Sequence, residues 1–476
     1  MPEARQLGLY ERFSLARAQA GAAPTVAFTC TLPTSSRIES TAILHALDTL
    51  LGRYPLLRCA ISHRTTTKPR FSLRASSTAD DFFQDQTAEP AKNADDVLLR
   101  AVEAGQAFDL DNGPLWQVWR AAAAEGKSRV TLVVHHTLSD GSGTRNLFSE
   151  LLSLLCNPAE DEEFVPAERL AASLEDTVNT KLSLVDIAKL VYSELLAPAL
   201  PSFLQPIEPA PVFLSSPTVP PHLQPTALKL LSLSPPVVEG LKRAGKAQGV
   251  NTLHPILFTA ANAALALTAS SPTDPSIPSL RIVGSTPMSL RSPSVHPTCT
   301  GNYVCSHTES HDLSTLLAAR FWTFCKDYSS TLLRPATRAL ARQGMGKLAY
   351  IPDGEVPATD QNPAKTRWEG WIEEQFAKQE WAETFEVSNL GVLPPTGWES
   401  EGLEDVYWTQ TSSAFVSALE PVAVRGGNLT FTLSYRKNAV DEATVSRFWE
   451  TYEDLLNKIA EGGVGEQAPM AELRSV

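Results

Sequence analysis

The chain has 476 residues, 43% hydrophobic and 20% charged, with a net charge of −13 at pH 7. That composition is globular, and the length exceeds what one hydrophobic core usually supports, so two lobes of roughly 200 residues each are expected. The acidic balance speaks against a nucleic-acid-binding surface, while 35 prolines imply long irregular connections.

The first thirteen residues carry Glu3, Arg5, Glu11 and Arg12 and lack the apolar centre of a secretion signal. None of the six cysteines forms a CxxC pair, and buried thiols in a reducing compartment are the simplest reading. A cytoplasmic location follows, with peripheral attachment to internal membranes as the alternative. Residues 24–33 alternate with a period of two and read as a strand, and Glu39 to Gly52 as an amphipathic helix. Tyr54 to Ile61 enters another strand, and the polar stretch Ala75 to Asn93 reads as a surface loop. Asp95 to Ala104 fits a short helix, Leu115 to Arg120 and Val130 to Val134 two neighbouring strands, and Asn146 to Leu155 a further helix. Ala159 to Glu163 is acidic, Leu174 to Leu196 is amphipathic, and Pro198 to Pro225 is too rich in proline for a regular element.

The second half repeats the style. Strands are expected at Ala227 to Leu233, Arg281 to Met288, Glu383 to Leu393 and Asn428 to Tyr435. Helices are expected at Pro236 to Gly249, Thr252 to Leu267, Leu316 to Arg334, Trp368 to Gln379 and Asp441 to Ile459. The longest apolar stretch, Val250 to Thr268, holds Asn251, His254, Pro255 and Asn262, which favours a buried core helix over a membrane span. The mix predicts an α/β fold of two lobes with a cleft between them.

One stretch concentrates chemistry. The apolar run Val130 to Val134 delivers His135-His136 to its end, where the chain turns through Thr137-Leu138-Ser139-Asp140-Gly141. Neighbouring side chains on a strand point to opposite faces, so only one of the two histidines faces a given cleft. Imidazole is suited to removing a proton near neutral pH. Asp140 either pairs with a cation or caps the helix beginning near Ser142. A metal site fits poorly, because adjacent histidines on a strand diverge. Gly141 and Gly143 read as residues of a tight turn; a phosphate cradle would want a P-loop lysine. His254 reads as a satisfied core histidine, and Trp368, Trp371 and Phe376 as helix packing or a tunnel wall.

The run HHTLSDG resembles the HHxxxDG motif of the CoA-dependent acyltransferase superfamily, which includes chloramphenicol acetyltransferase, plant BAHD enzymes, condensation domains of peptide synthetases and fungal alcohol acetyltransferases. The chain is most similar to the last group. Matching stretches are Leu7 to Phe13, Tyr54 to Arg58, Phe108-Asp109 through Pro114-Leu115-Trp116, Thr286 to Arg291, Gly301 to Val304 and Val387 to Gly391. Only residues ~160–225 go unmatched, and the plant-type DFGWG run is absent.

The resemblance implies two chloramphenicol acetyltransferase-like lobes of mixed sheets flanked by helices, with a tunnel at their interface. The lobes would occupy 1–170 and 226–476, joined by a helix and proline-rich connection at 171–225. It makes His136 the general base, with Asp140 braced by Arg291 across the lobes and Gly141 shaping the turn. Ser388 and Asn389 are candidates for the oxyanion or tunnel wall, with an ordinary polar turn as the alternative. Acyl-CoA, acetyl-CoA foremost, would be co-substrate, a small alcohol the acceptor and no metal involved, in a monomer without a membrane span. Alternatives are a carrier-protein thioester donor, an amine acceptor, or a non-catalytic binding relative.

Overall fold

The computed structural model describes residues 4–22, 24–33, 38–88, 93–157, 169–192, 196–197, 200, 210–213, 225–270, 279–358, 364–377, 382–411, 415–437 and 439–474. The acidic run Ala159 to Glu163 and most of Pro198 to Pro225 lie outside the described residues.

Two mixed sheets organise the chain. The first has five strands, in the order Tyr407–Gln410, Thr25–Thr31, Ser128–His135, Trp116–Ala122 and Phe83–Asp85. The second has six, in the order Val304–Asp312, Arg281–Ser289, Glu383–Val387, Phe415–Ala423, Leu429–Arg436 and Thr226–Leu233. In the second sheet Glu383–Val387 runs parallel to both neighbours, and the outer pairs are antiparallel. The fold is therefore α/β with two mixed sheets flanked by helices.

Each sheet has its own apolar core. Ser40–Arg53 and Gly141–Cys156 lay Ile43, Leu47, Leu50, Leu147, Leu151 and Leu152 on the first. In the second, Leu253–Ala269 is buried on every side from Pro255 to Thr268 and packs against Glu442–Ala460. That all-round burial explains the long apolar stretch in the sequence. No helix among the described residues is long and apolar enough to cross a membrane. His254 donates or accepts one hydrogen bond with Thr286 (2.9 Å) and stays against the core rather than in a site.

Several elements depart from the sequence reading. Within Ala75 to Asn93, Phe83–Asp85 forms an edge strand parallel to Trp116–Ala122, too short to show an alternation. Pro55–Arg58 is a turn of 3₁₀ helix, and the strand begins only at Cys59. The helix expected over Leu316 to Arg334 is two, Leu313–Ala318 and Phe321–Leu333. The break is where the C-terminal segment takes the backbone bonds: Phe321 N donates to Ala468 O and Met470 N to Ala319 O. The amphipathic stretch from Leu174 likewise splits into Leu174–Thr177 and Leu184–Val191.

One strand departs from the order of the lobes. Tyr407–Gln410 lies late in the chain, yet it extends the first sheet antiparallel to Thr25–Thr31. Its Trp408 is fully buried, stacks on Phe28 (5.7 Å between centroids) and donates its indole N–H to Pro421 O. The indole thus sits in the first core while gripping the second sheet. The N-terminal helix Leu9–Gln19 makes a reciprocal crossing. Its Ala16 is packed with Trp368, Ile372 and Phe376 of Arg367–Ala377, and the Arg12 guanidinium lies 4.4 Å over the Trp368 ring. The Trp368, Trp371 and Phe376 cluster is therefore helix packing. Trp408→Ala removes a buried aromatic from the crossing strand and is expected to cost roughly 3–5 kcal/mol; the midpoint of urea unfolding measures it.

Candidate active site

The strand Ser128–His135 ends at the boundary between the two sheets, and the next five residues are held there by the second half of the chain. Ser139 and Gly301 form a parallel bridge, in which Gly301 N donates to Leu138 O (2.9 Å) and Asp140 N to Gly301 O (3.2 Å). Gly301 adopts φ +83°, a left-handed conformation that favours glycine.

Asp140 fills two of the roles open to it. It is the N-cap of Gly141–Cys156, its Oδ1 accepting from Gly143 N at 2.7 Å. Oδ1 also accepts from Arg291 Nη2 (3.0 Å), and Oδ2 accepts from Tyr303 N (2.7 Å). Arg291 in turn donates to Thr300 O (2.8 Å), Gly301 O (3.0 Å) and Pro297 O, and its guanidinium lies 4.8 Å over the Tyr303 ring. Gly141 and Gly143 both have ordinary negative-side backbone, so neither serves a left-handed turn. Gly143 is instead a close approach, since an added Cβ would lie 2.4 Å from Ser139 Oγ and 2.8 Å from Arg291 Nη2. At Gly141 a Cβ would meet Leu390 at 3.3 Å on the cavity wall.

His135 and His136 diverge as strand neighbours must. His135 is fully buried; its Nδ1 accepts from Thr137 N (3.2 Å), and its Nε2 has no hydrogen-bond partner among the described residues. It lines a cavity of about 230 Å³ with Gln19, Phe108 and Asp109. His136 lines another, about 190 Å³, walled by Tyr10, Asp140, Gly141 and Ser142 on one side and Ser289, Ser306, Glu386, Ser388 and Asn389 on the other. The His136 Nδ1 lies 3.1 Å from Asn302 Oδ1. Asn302 Nδ2 donates to Thr137 O (2.9 Å), which turns the amide oxygen toward the ring. The Nδ1–H is therefore the donor, and Nε2 keeps its lone pair. Nε2 has no hydrogen-bond partner among the described residues.

Residues 26–170 match the profile of the condensation domain family. Along its length the chain is 23% identical over 482 residues to the probable alcohol acetyltransferase FCK4 of Fusarium pseudograminearum, covering 93% of this chain and 92% of the relative. Among solved structures, TRI3 trichothecene 15-O-acetyltransferase from Fusarium sporotrichioides superposes with a TM-score of 0.65 at 12% identity, over 96% of this chain and 95% of that one. The epimerization domain from the third module of tyrocidine synthetase B gives 0.64 at 14% identity, over 98% of each chain. Over almost its whole length the chain shares the fold of these condensation-type and acetyltransferase structures.

The electrostatics of the His136 cavity are set by burial. Desolvation lowers the His136 pKa from its ordinary value; Arg17 lowers it further, while Asp140 and the Asn302 bond work the other way. His135, with no counter-charge, is pushed down to about 3 by desolvation and by the neighbouring His136 and Arg17. Ser388 and Asn389 both line the His136 cavity. Asn389 Oδ1 caps the turn by accepting from Gly391 N (2.8 Å), so the ordinary-turn reading applies to that atom. The Ser388 hydroxyl and the Asn389 Nδ2 have no hydrogen-bond partner among the described residues.

Three residues without an assigned role in the sequence also frame the cavity. Tyr10 lies with its ring 5.5 Å from that of His136 and has its phenol pushed up to about 12 by burial. Asn302 sets the His136 tautomer. Both lay inside stretches whose likeness to the superfamily was visible. Glu386 is the third; a charged residue between Phe385 and Val387 was its only signal.

Asp140 and Arg291 are nearly inaccessible, with side-chain exposures of 3% and 9%. Removing one member of a buried pair leaves the other charge uncompensated, so Arg291→Ala is expected to lose roughly 3–5 kcal/mol in denaturant unfolding. Arg291→Lys is expected to recover less than half of that loss, because a single ammonium cannot reach Asp140 and three carbonyls at once.

Proposed function

We propose that the protein transfers an acyl group, acetyl from acetyl-CoA foremost, to the hydroxyl of an alcohol or hydroxylated metabolite, with His136 as general base. The observation that carries this reading is the His136 ring itself: Nδ1 is fixed as donor to Asn302, and an unpartnered Nε2 belongs to a residue lining a cavity between the two sheets. A base must hold a lone pair within reach of the proton it removes, and this tautomer supplies one.

Nε2 takes the proton as the alcohol oxygen attacks the thioester carbonyl. A C–O bond forms, the carbonyl becomes a tetrahedral oxyanion, and its collapse breaks the C–S bond. The imidazolium then returns the proton to the departing thiolate, so no acyl-enzyme and no outside acid are required. The free hydroxyl of Ser388 and the free Nδ2 of Asn389 are suited to receive the oxyanion. Asp140 takes no part in proton transfer, since both of its oxygens are occupied by Arg291, Gly143 and Tyr303. Its work with Arg291 and Gly141 is to hold the loop.

The likeness to FCK4, named a probable alcohol acetyltransferase, supports the alcohol acceptor and the acetyl group. The match to the condensation domain family supports a second donor, an acyl group on carrier-protein pantetheine, which presents the same thioester sulfur. Supplying acetyl-CoA and an acetylated carrier in parallel separates the two.

His136→Ala is expected to lower kcat/KM by roughly 10²–10⁴-fold, the span of a lost general base, with an unfolding midpoint close to that of the parent. Unchanged ester formation in that variant overturns the mechanism. The sign of the pH dependence follows from the lowered His136 pKa. The base form persists below the ordinary imidazole value of ~6.5, so the acid limb of the kcat/KM profile is expected below pH 6.5. A limb at or above that value contradicts the desolvated site.

A further inference from the structure

The wall of the His136 cavity opposite the imidazole carries a carboxyl group that the transfer chemistry does not use. Side chains of Glu383–Val387 alternate: Phe385 and Val387 enter the second apolar core, so Glu386 projects from the other face, toward the cavity. The residue is 8% exposed. Gln410, at the end of the crossing strand, donates its side-chain amide to Glu386 Oε1 at 2.6 Å. Ser285, whose hydroxyl donates to Glu383 Oε2 (2.5 Å), also interacts with the Glu386 carboxyl, and Arg17 acts on it through charge without forming an ion pair among the described residues. Burial foremost, then the nearby Glu383, pushes the Glu386 pKa up to about 8 against the opposing pull of Gln410, Arg17 and Ser285, which favours the neutral carboxyl at pH 7.

A neutral carboxyl offers one O–H donor and one carbonyl acceptor, whereas a carboxylate only accepts. Gln410 occupies the acceptor Oε1. The remaining oxygen therefore carries the hydroxyl and can donate it to an oxygen bound in the cavity. Ser289 and Ser306 add further polar groups to the same wall. Ser289 Oγ already accepts from Arg291 N (3.2 Å), so it is Glu386 and Ser306 that an aliphatic alcohol would leave without a second oxygen to bind.

We propose that Glu386, held in place by Gln410, is a specificity-determining residue that binds a second oxygen function, a hydroxyl or carbonyl, on the acceptor whose first hydroxyl faces His136. The acceptor class is then a polyoxygenated molecule, a diol or hydroxy-ketone, and not a simple alkanol. The inference rests on the acyl-transfer reading of the His136 site and adds the chemistry of the acceptor to it. Sites built around a buried hydrogen bond reject analogues lacking the partner far more strongly than apolar pockets reject a missing methylene.

The test compares cyclohexanol with the 1,2-, 1,3- and 1,4-cyclohexanediols as acceptors, with acetyl-CoA as donor and free CoA thiol as the readout. For the unaltered protein, at least one diol is expected to exceed cyclohexanol in kcat/KM by tenfold or more. Glu386→Leu is expected to bring that ratio close to the statistical factor of about two from the extra hydroxyl, and Glu386→Gln, which keeps a donor and an acceptor, to retain most of it. No diol preference in the unaltered protein, or a preference that survives Glu386→Leu, overturns the assignment while leaving His136-dependent transfer intact. Release of CoA with none of the four acceptors forming ester overturns the transfer reading and this one together.

Discussion

The position of the loop that carries His136 depends on one buried carboxylate. Asp140 stands at the first turn of Gly141–Cys156, where a helix leaves backbone N–H groups without partners, and it satisfies Gly143 N there. The same side chain reaches Arg291 and Tyr303 N from the other half of the chain. Because Arg291 also donates to the carbonyls of Pro297, Thr300 and Gly301, the loop is locked to an arginine-bearing turn. A buried ion pair adds little net stability on its own; its value here is geometric. The atoms it brings together include Asn302, and through Asn302 the tautomer of His136.

That arrangement separates positioning from chemistry. The carboxylate of Asp140 does not hydrogen-bond the imidazole; the amide of Asn302 does. An amide oxygen orients the ring without stabilising imidazolium as strongly as a carboxylate would. Combined with burial, this favours the neutral imidazole at His136. His135 shows the other side of the same physics. It shares the strand end and the desolvation, but its Nδ1 is spent on Thr137 N and its buried Nε2 would carry the hydrogen, so no basic lone pair is left.

The legible parts of the site were those encoded within a few residues. His136, Asp140 and Gly141 fall in one turn, and Arg291 falls in a stretch whose pattern marked it as the cross-lobe partner. The strands and helices that carry strong periodicity were legible too, because two-residue and 3.6-residue alternations report a buried face directly. Asn302 and Glu386 were not, although both sit in or beside marked stretches. What selects Asn302 is the pairing of Ser139 with Gly301, a contact between residues far apart in sequence. What selects Glu386 is the burial of Phe385 and Val387 on the opposite face of their strand. The crossing of Tyr407–Gln410 was equally invisible, since four residues specify an extended backbone but not the sheet they join.

That crossing strand explains how polar groups can be gathered on the wall facing the base. Trp408 anchors the strand in the first core, and two residues later Gln410 emerges where the two sheets meet. Its backbone N–H donates to Glu420 Oε1 (3.0 Å) and its side chain to Glu386. A carboxyl placed between lobes with no such partner would carry the full cost of desolvation on both oxygens. With Gln410 supplied from the strand that is shared between the sheets, one oxygen is satisfied and the other is left facing the cavity. The same crossing thus fixes the lobes against each other and orients the group proposed to read the acceptor. Loosening the strand would therefore be felt in selectivity as well as in stability, because the apolar anchor and the polar one are two residues apart on a single four-residue segment.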